Sequence, residues 1–86
     1  TKLNSQDYAR SLAKYAEILH AQNEAEKALM FSEKALKIQN EIKNYGQDNW
    51  YVLSTYIVVN YTLKNYNRII ELAIFELQKD NNLIVV

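Results

Sequence analysis

The chain has 86 residues, ten basic and ten acidic side chains, a formal net charge of zero at pH 7 and no cysteine. The length predicts one small domain, and the charge balance argues against a nucleic-acid-binding surface, which would carry a basic excess. Disulfides and thiolate metal sites are excluded, and the longest apolar run, Tyr56 to Val59, is far too short to cross a bilayer. We therefore expect a cytoplasmic protein without nucleic-acid or membrane partners.

The first predicted element is an amphipathic helix from about Ser5 to Ala21, with Ser5 or Asn4 as its cap. Its apolar stripe at helical spacing consists of Tyr8, Leu12, Tyr15 and Leu19, with Ala9, Ala13 and Ala16 beside it. A short turn at Gln22 and Asn23 follows, and it predicts that the next helix returns antiparallel to the first.

The second predicted helix runs from Asn23 to Gly46. Asn23 serves as the N-cap with Glu26 three residues later, and Gly46, the only glycine, stands where a left-handed C-cap is expected. The apolar stripe of this helix consists of Ala28, Phe31, Ala35, Ile38, Ile42 and Tyr45. A helix of this length needs partners along its apolar side.

The segment from Trp50 to Leu63 is rich in β-branched and aromatic residues, and by propensity alone it favours a strand. Its apolar and polar residues do not alternate, however, because Trp50 to Leu53 form a consecutive apolar run. We predict a helix that is apolar nearly all round and is enclosed by its neighbours. Asn65 then caps a fourth helix that ends near residues 80–82 and carries on one side Ile69, Leu72, Ala73, Glu76 and Leu77.

The chain is similar to itself when it is displaced by about 41 residues. The matched pairs are Leu12 with Leu53, Tyr15 with Tyr56, Lys27 with Arg68, Leu29 with Ile70 and Leu36 with Leu77. Such a period is typical of repeat arrays, in which helical pairs stack because neither buries its apolar stripe alone. The match with the first helix supports the helical interpretation of the third segment.

These two copies resemble the tetratricopeptide repeat (TPR) family. The residues at the family's positions are Leu12, Tyr15-Ala16, Leu19, Ala28, Ser32, Ala35-Leu36 and Asn40, and then Leu53, Tyr56-Ile57, Asn60, Ile69, Ala73, Glu76-Leu77 and Asn81. The family's tryptophan and proline are missing. Ile57 and Ile69 replace small residues, which leaves the close approach of the helices in the second copy open. The long second helix resembles the variants found in kinesin light chains and in bacterial peptide-sensing regulators.

The resemblance implies an all-α fold of two stacked antiparallel helix-turn-helix repeats that form a short right-handed α-solenoid. Residues 1–86 then form a single domain, with repeat one at about 5–46 and repeat two at about 49–82. Residues 83–86 form an apolar tail, which is either the first turn of a truncated further helix or a plug for the open edge of the core.

No group of residues in the sequence predicts catalysis. His20 is the only histidine and thus the sole ordinary base, and no glycine-rich loop is present to bind an oxyanion or a phosphate. Glu17 and Glu24 flank His20, yet one histidine without cysteine is a poor zinc set, and the turn at Asn23 breaks the spacing. We expect a protein that is not an enzyme and needs no cofactor or metal.

Seven tyrosines and Trp50 belong to the residue types that stack on nucleic-acid bases. Surfaces that stack bases also carry basic residues, whereas the cations of this chain are balanced by acids. Most of the rings fall at helix-core spacings, so we predict that they are core residues.

Stacked helical pairs present a concave groove lined by their first helices, and this surface remains for function. The resemblance implies groove positions at Arg10, Lys14, Glu17, His20, Tyr51, Ser54, Thr55, Val58 and Tyr61. Such a mixture suits an extended peptide or a partner helix, and we predict a module or scaffold that binds a protein or peptide. The family's carboxylate-binding positions carry Ala13 and Glu17 here, so that form of recognition is not expected.

The alternative is a structural or self-association module without a separate ligand. Repeat arrays need polar ends, whereas the fourth helix and residues 83–86 leave an apolar C-terminal edge. A homo-oligomer formed through this edge is the predicted consequence, unless the tail folds back on the core.

Overall fold

The computed structural model describes residues 5–42 and 47–79, which form four helices: α1 Ser5–Ala21, α2 Ala25–Ile42, α3 Gln47–Thr62 and α4 Tyr66–Lys79. No strand occurs within these two ranges, so the all-α prediction is confirmed and the strand alternative for the third segment is wrong. None of the described helices is long and apolar enough to cross a membrane. Stacking of two TPR-like repeats into a right-handed solenoid stays a prediction. The predicted helix ends at Gly46 and near residues 80–82, and the tail, lie outside the described residues.

Helices α1, α2 and α3 form the core, and α4 packs at its edge. α2 lies against both α1 and α3, whereas α4, among the described helices, brings its backbone close only to α3. Two buried clusters hold the core together, one formed by Ala16, Leu19, Ala28 and Val59 and the other by Ala13, Ala35 and Val52. The order of these contacts along the chain makes α2 antiparallel to α1 and to α3, which run parallel to each other.

Small side chains form the buried side of α1. The buried residues of this helix are Ala9, Ala13, Ala16 and Leu19. Tyr8 and Tyr15, which the sequence placed in the apolar stripe, are each about half exposed, so that part of the prediction is wrong. A methyl side chain lets two helix axes approach more closely than a phenol ring does, and the core therefore lies on the alanine side.

α2 presents a matching side of small and polar residues, namely Ala28, Ser32, Ala35 and Gln39. Ala28 and Ala35 belong to the predicted stripe, whereas Phe31 and Ile38 are half-buried and Ile42 is exposed. The buried side of α2 is thus rotated around the helix from the predicted apolar stripe, and it includes the polar residues Ser32 and Gln39.

The two described turns between consecutive helices have the same backbone geometry. Asn23 and Lys64, 41 positions apart, both adopt the left-handed conformation, with φ of 65° and 62°. The residue after each of them donates its N–H to the carbonyl five residues earlier, over 2.9 and 2.8 Å. This is the hydrogen bond of a Schellman-type helix end, so Asn23 terminates α1.

The predicted role of Asn23 as the N-cap of α2 is therefore wrong. α2 begins at Ala25, and the carbonyl of Glu24 accepts the N–H of Ala28 at 2.9 Å. Asparagine is one of the few residues other than glycine that adopt the left-handed region readily, and this property places it at the end of α1. Asn65, the predicted cap of α4, does stand directly before that helix.

The second helix pair is more open than the first, since α3 and α4 approach each other at far fewer points than α1 and α2. At a displacement of 41 residues the buried small residues of the first pair fall on bulky, charged or exposed ones: Ala9 on Trp50, Ala13 on Ser54, Ala16 on Ile57, Ala28 on Ile69, Ser32 on Ala73 and Ala35 on Glu76. Trp50, Ile57 and Ile69 are too large for the close backbone approach that alanine permits at the equivalent places of the first pair. The sequence left open whether the helices of the second copy approach closely, and the structure shows that they do not.

Exchanging the residue types at one equivalent pair of positions tests this explanation. Ala16→Ile should lower the free energy of unfolding by about 1–3 kcal/mol, because it overpacks a closely packed contact. Ile57→Ala should cost less than about 1 kcal/mol, because 38% of the Ile57 side chain is exposed. Urea denaturation measures both values, and an Ile57→Ala loss as large as that of Ala16→Ile would contradict the packing argument.

The buried side-chain amides of Gln39 and Asn60 differ in whether they have hydrogen-bond partners. Gln39 is fully buried, and neither its amide nitrogen nor its oxygen has a partner within the described part of the chain. Asn60 is also fully buried, but its Nδ2 donates to the carbonyl of Tyr56 at 2.8 Å and its Oδ1 accepts from Asn65 at 3.2 Å. An unpaired buried polar group costs about 1–3 kcal/mol.

We expect Gln39→Met to raise the free energy of unfolding by about 1 kcal/mol, because it removes unpaired polar atoms while nearly conserving volume. Asn60→Leu is the matched control and should lower it by about 1–3 kcal/mol, because it removes both hydrogen bonds of the Asn60 amide and takes the acceptor from Asn65 Nδ2. Denaturant melts of both variants decide the matter. Destabilisation by Gln39→Met would mean that the Gln39 amide has a partner in the native protein.

Candidate functional site

A pocket of about 220 Å³ opens between the parallel helices α1 and α3. The residues that line it are Glu17, His20, Ala21, Ser54, Thr55, Val58 and Val59. Five of these belong to the predicted groove set, namely Glu17, His20, Ser54, Thr55 and Val58. The structure therefore brings together residues that are far apart in the sequence and that lie on the same sides of the two helices.

One end of the pocket is held by a hydrogen bond between the two helices. The Tyr51 hydroxyl donates to Glu17 Oε1 at 2.8 Å, and Lys14 Nζ lies 3.3 Å from the same oxygen. These two hydrogen bonds, that of Tyr51 first, hold the pKa of Glu17 below its ordinary value. Partial burial, and then the bond to the Glu17 carboxylate, raise the pKa of Tyr51 to about 12. The carboxylate is thus kept charged and oriented.

The other end is held by His20, which is half-buried in the last turn of α1. Its Nε2 lies 2.7 Å from Oγ1 of Thr62 in the last turn of α3. Thr62 was absent from the predicted set, although its position one turn beyond Val58 places it on the same side of the helix. The contact gives the only histidine of the chain a role in positioning α1 against α3.

The two hydroxyl residues of the pocket turn their protons toward their own helix. Ser54 Oγ and Thr55 Oγ1 both donate to the carbonyl of Tyr51, at 3.0 Å each. Their protons are therefore satisfied, and the oxygens remain able to accept a hydrogen bond. Together with Val58 and Val59 they give the pocket a mainly apolar wall with a few acceptors.

A continuous exposed surface adjoins the pocket along α3, and we call it the α3 outer face: Trp50, Ser54, Ile57, Val58 and Tyr61. Intervals of seven and four residues align Trp50, Ile57 and Tyr61 on one side of the helix. Trp50 is 71% exposed and Tyr61 66% exposed. The prediction that α3 is enclosed on nearly every side is wrong, because no described element covers this face.

The prediction that most tyrosines belong to the core is wrong for the same reason. Among the described tyrosines only Tyr56 is buried, while Tyr8, Tyr15, Tyr61 and Tyr66 are substantially exposed. Tyr61 packs edge-on against Tyr66 of α4, with 5.7 Å between the ring centroids.

The remaining predicted groove residues lie around the pocket or beyond it. Arg10 and Lys14 are exposed on α1, on the side of the helix that carries Glu17. Tyr61 lies on the α3 outer face. Trp50 and Ile57 were not predicted as site residues, because the sequence interpretation assigned their side of α3 to the core. The seven-residue interval between them was the signal that could have identified them.

A second and wider hollow of about 510 Å³ runs along α2, lined by Glu33, Leu36, Lys37, Asn40, Glu41 and Tyr56. Glu33 is already engaged there, because its carboxylate pairs with the guanidinium of Arg68 from α4. Within the described ranges no group of three histidine, aspartate or glutamate side chains is placed to hold a metal ion.

No family model matches the sequence, and neither the curated proteins nor the solved structures gave a similar chain.

The hydrogen bond between Tyr51 and Glu17 should be visible in the titration of the tyrosines. One tyrosine should ionise with a pKa of about 12, and the tyrosinate absorbance that reports it should disappear in Tyr51→Phe and move toward an ordinary value in Glu17→Gln. The folded pKa lies above the unfolded value, so the stabilisation from this group is complete below about pH 10 and is lost as the pH rises through 12. Tyr8→Phe is the control and should leave the late step unchanged.

Proposed function

We propose that the chain is a binding module that receives a segment of another polypeptide along the α1–α3 pocket and the adjoining α3 outer face. The observation that carries this proposal is the position of a small apolar pocket beside a line of exposed aromatic residues on the same helix. The resemblance to tetratricopeptide repeats supports it independently, because it implies a groove on the same sides of α1 and α3.

The size of the pocket favours a peptide over a metabolite. Pockets that enclose small-molecule ligands measure about 300–1,000 Å³, whereas this one measures about 220 Å³. A space of this size receives one side chain of a longer ligand, and the rest of the ligand then lies on the surface outside it.

The residues around the pocket specify the chemistry of that side chain and of the backbone next to it. Val58 and Val59 favour an aliphatic or aromatic side chain in the pocket. Tyr51 and Lys14 both contact Oε1 of the Glu17 carboxylate, which fixes its orientation, while Oε2 can accept a main-chain N–H of the ligand. Trp50 and Tyr61 are residue types that commonly dominate binding energy at interfaces, and they would cover the neighbouring ligand residues.

Selection from a library of random peptides displayed on phage tests the proposal. We expect enrichment of peptides with an aliphatic or aromatic residue at a fixed position. A synthetic copy of an enriched peptide should change the fluorescence of Trp50, the only tryptophan, in a saturable manner. Val58→Glu and Tyr61→Ala should each weaken its binding at least ten-fold, about 1.4 kcal/mol.

Met30→Glu is the matched control, because Met30 is also exposed and apolar but lies on the side of α2 away from the core. It should leave the affinity unchanged. Equal affinity of the wild type and Val58→Glu, or failure to enrich any peptide, would overturn the proposed function.

A further inference from the structure

α4 carries a line of half-exposed apolar side chains, and Tyr66 at its first end packs edge-on against Tyr61 of α3. Tyr66, Ile70, Ile74 and Leu77 recur at intervals of four, four and three residues, so they share one side of the helix. About half of each side chain is exposed, whereas Leu72, on another side, is buried against α3. A contiguous apolar strip of this kind is characteristic of an interaction surface rather than of scattered surface residues.

The residues of α2 that are equivalent to the α4 strip pack against the second helix pair. Leu29 and Leu36 of α2 pack against a buried cluster formed by Leu53, Tyr56 and Leu72. Ile70 and Leu77 follow Leu29 and Leu36 by 41 positions, which is also the interval between the two left-handed turn residues. Ile70 and Leu77 on the exposed side of α4 are thus equivalent to Leu29 and Leu36, whose contact with the next helix pair lies within the chain.

The first helix pair carries a cluster that is equivalent to the one that Leu29 and Leu36 contact. Leu12, Tyr15 and Phe31 precede Leu53, Tyr56 and Leu72 by the same 41 positions. Tyr15 and Phe31 already lie together, with their rings edge-to-face and 4.8 Å between the centroids. Tyr15 is about half exposed, and Leu12 and Phe31 are half-buried, so this cluster has surface left to cover.

We propose that a second copy of this chain covers the α4 strip, and that it does so with its Leu12–Tyr15–Phe31 cluster. The contact would repeat between two molecules the joint that Leu29 and Leu36 make within one. It is heterologous, because the two surfaces differ, and each added copy leaves one strip and one cluster open. The assembly therefore grows as an open chain of copies.

The contact between copies differs from the joint within the chain in one respect. Within the chain, Arg68 of α4 pairs with Glu33 of α2 across the joint. The equivalent positions between copies are Lys27 and Ile74, which form no ion pair. Association should therefore not weaken when salt is added, since added salt screens ion pairs and leaves apolar contacts intact.

Two variants that each disable one end give the sharpest test. Ile74→Lys places a positive charge in the strip, opposite Lys27 of the next copy, and Tyr15→Glu places a charge in the cluster; both positions are half exposed, so the fold accepts them. The wild-type chain should show an average mass in sedimentation that rises with concentration, and each variant alone should associate at least ten-fold more weakly. An equimolar mixture of the two should form a 1:1 dimer that does not grow further.

Ile70→Lys is a second variant of the strip and should behave as Ile74→Lys does, with circular dichroism confirming that both remain helical. Met30→Glu is the matched control and should assemble as the wild type does, and so should a chain that lacks residues 83–86. A monomeric wild type at every concentration would overturn the proposal. So would full association of Tyr15→Glu alone, which would indicate a symmetric contact between two α4 strips, or loss of association on removal of residues 83–86.

Discussion

The close packing of α1 on α2 is the contact on which the rest of the structure depends. Because fully buried alanines line this contact on both helices, the two axes approach closely and leave a shallow surface above them. α3 covers that surface with Val52 and Val59 and completes the core. α4 packs at the edge of this core and buries Leu72 there.

The same division determines where apolar surface remains. Single exposed apolar side chains are common on soluble proteins, but contiguous groups of them are concentrated at interaction sites. The α3 outer face and the α4 strip are two such groups, and the edge-on contact between Tyr61 and Tyr66 joins them. Both belong to the second helix pair, whose bulky residues keep it from closing as the first pair does.

The helical type of the third segment required its match with the first helix 41 residues earlier, because its local propensity favours a strand. The number of the helices could be predicted from the sequence, because periodicity and the breaks near Asn23 and Asn65 are local properties. The buried side of each helix could not. Tyr8 and Ala9 lie only 100° apart around α1, and hydrophobicity alone does not decide between them. The decision depends on how closely the partner helix can approach, and the sequence of one helix does not contain that information.

The candidate site could be predicted only in part. The turns that place α1 and α3 depend on backbone geometry, whereas the packing around them depends on side-chain volume. A Schellman turn needs one residue that tolerates the left-handed region, so Asn23 and Lys64 produce the same turn in different surroundings. Glu17 of α1 and Tyr51 of α3 come together between these two helices, although they do not occupy equivalent places of the repeat. Packing instead depends on side-chain volume at every position, so Ala16 is buried where Ile57 is exposed. One backbone pattern with two sets of side-chain volumes leads to two outcomes: the first pair closes the core, and the second leaves the α3 outer face and the α4 strip exposed.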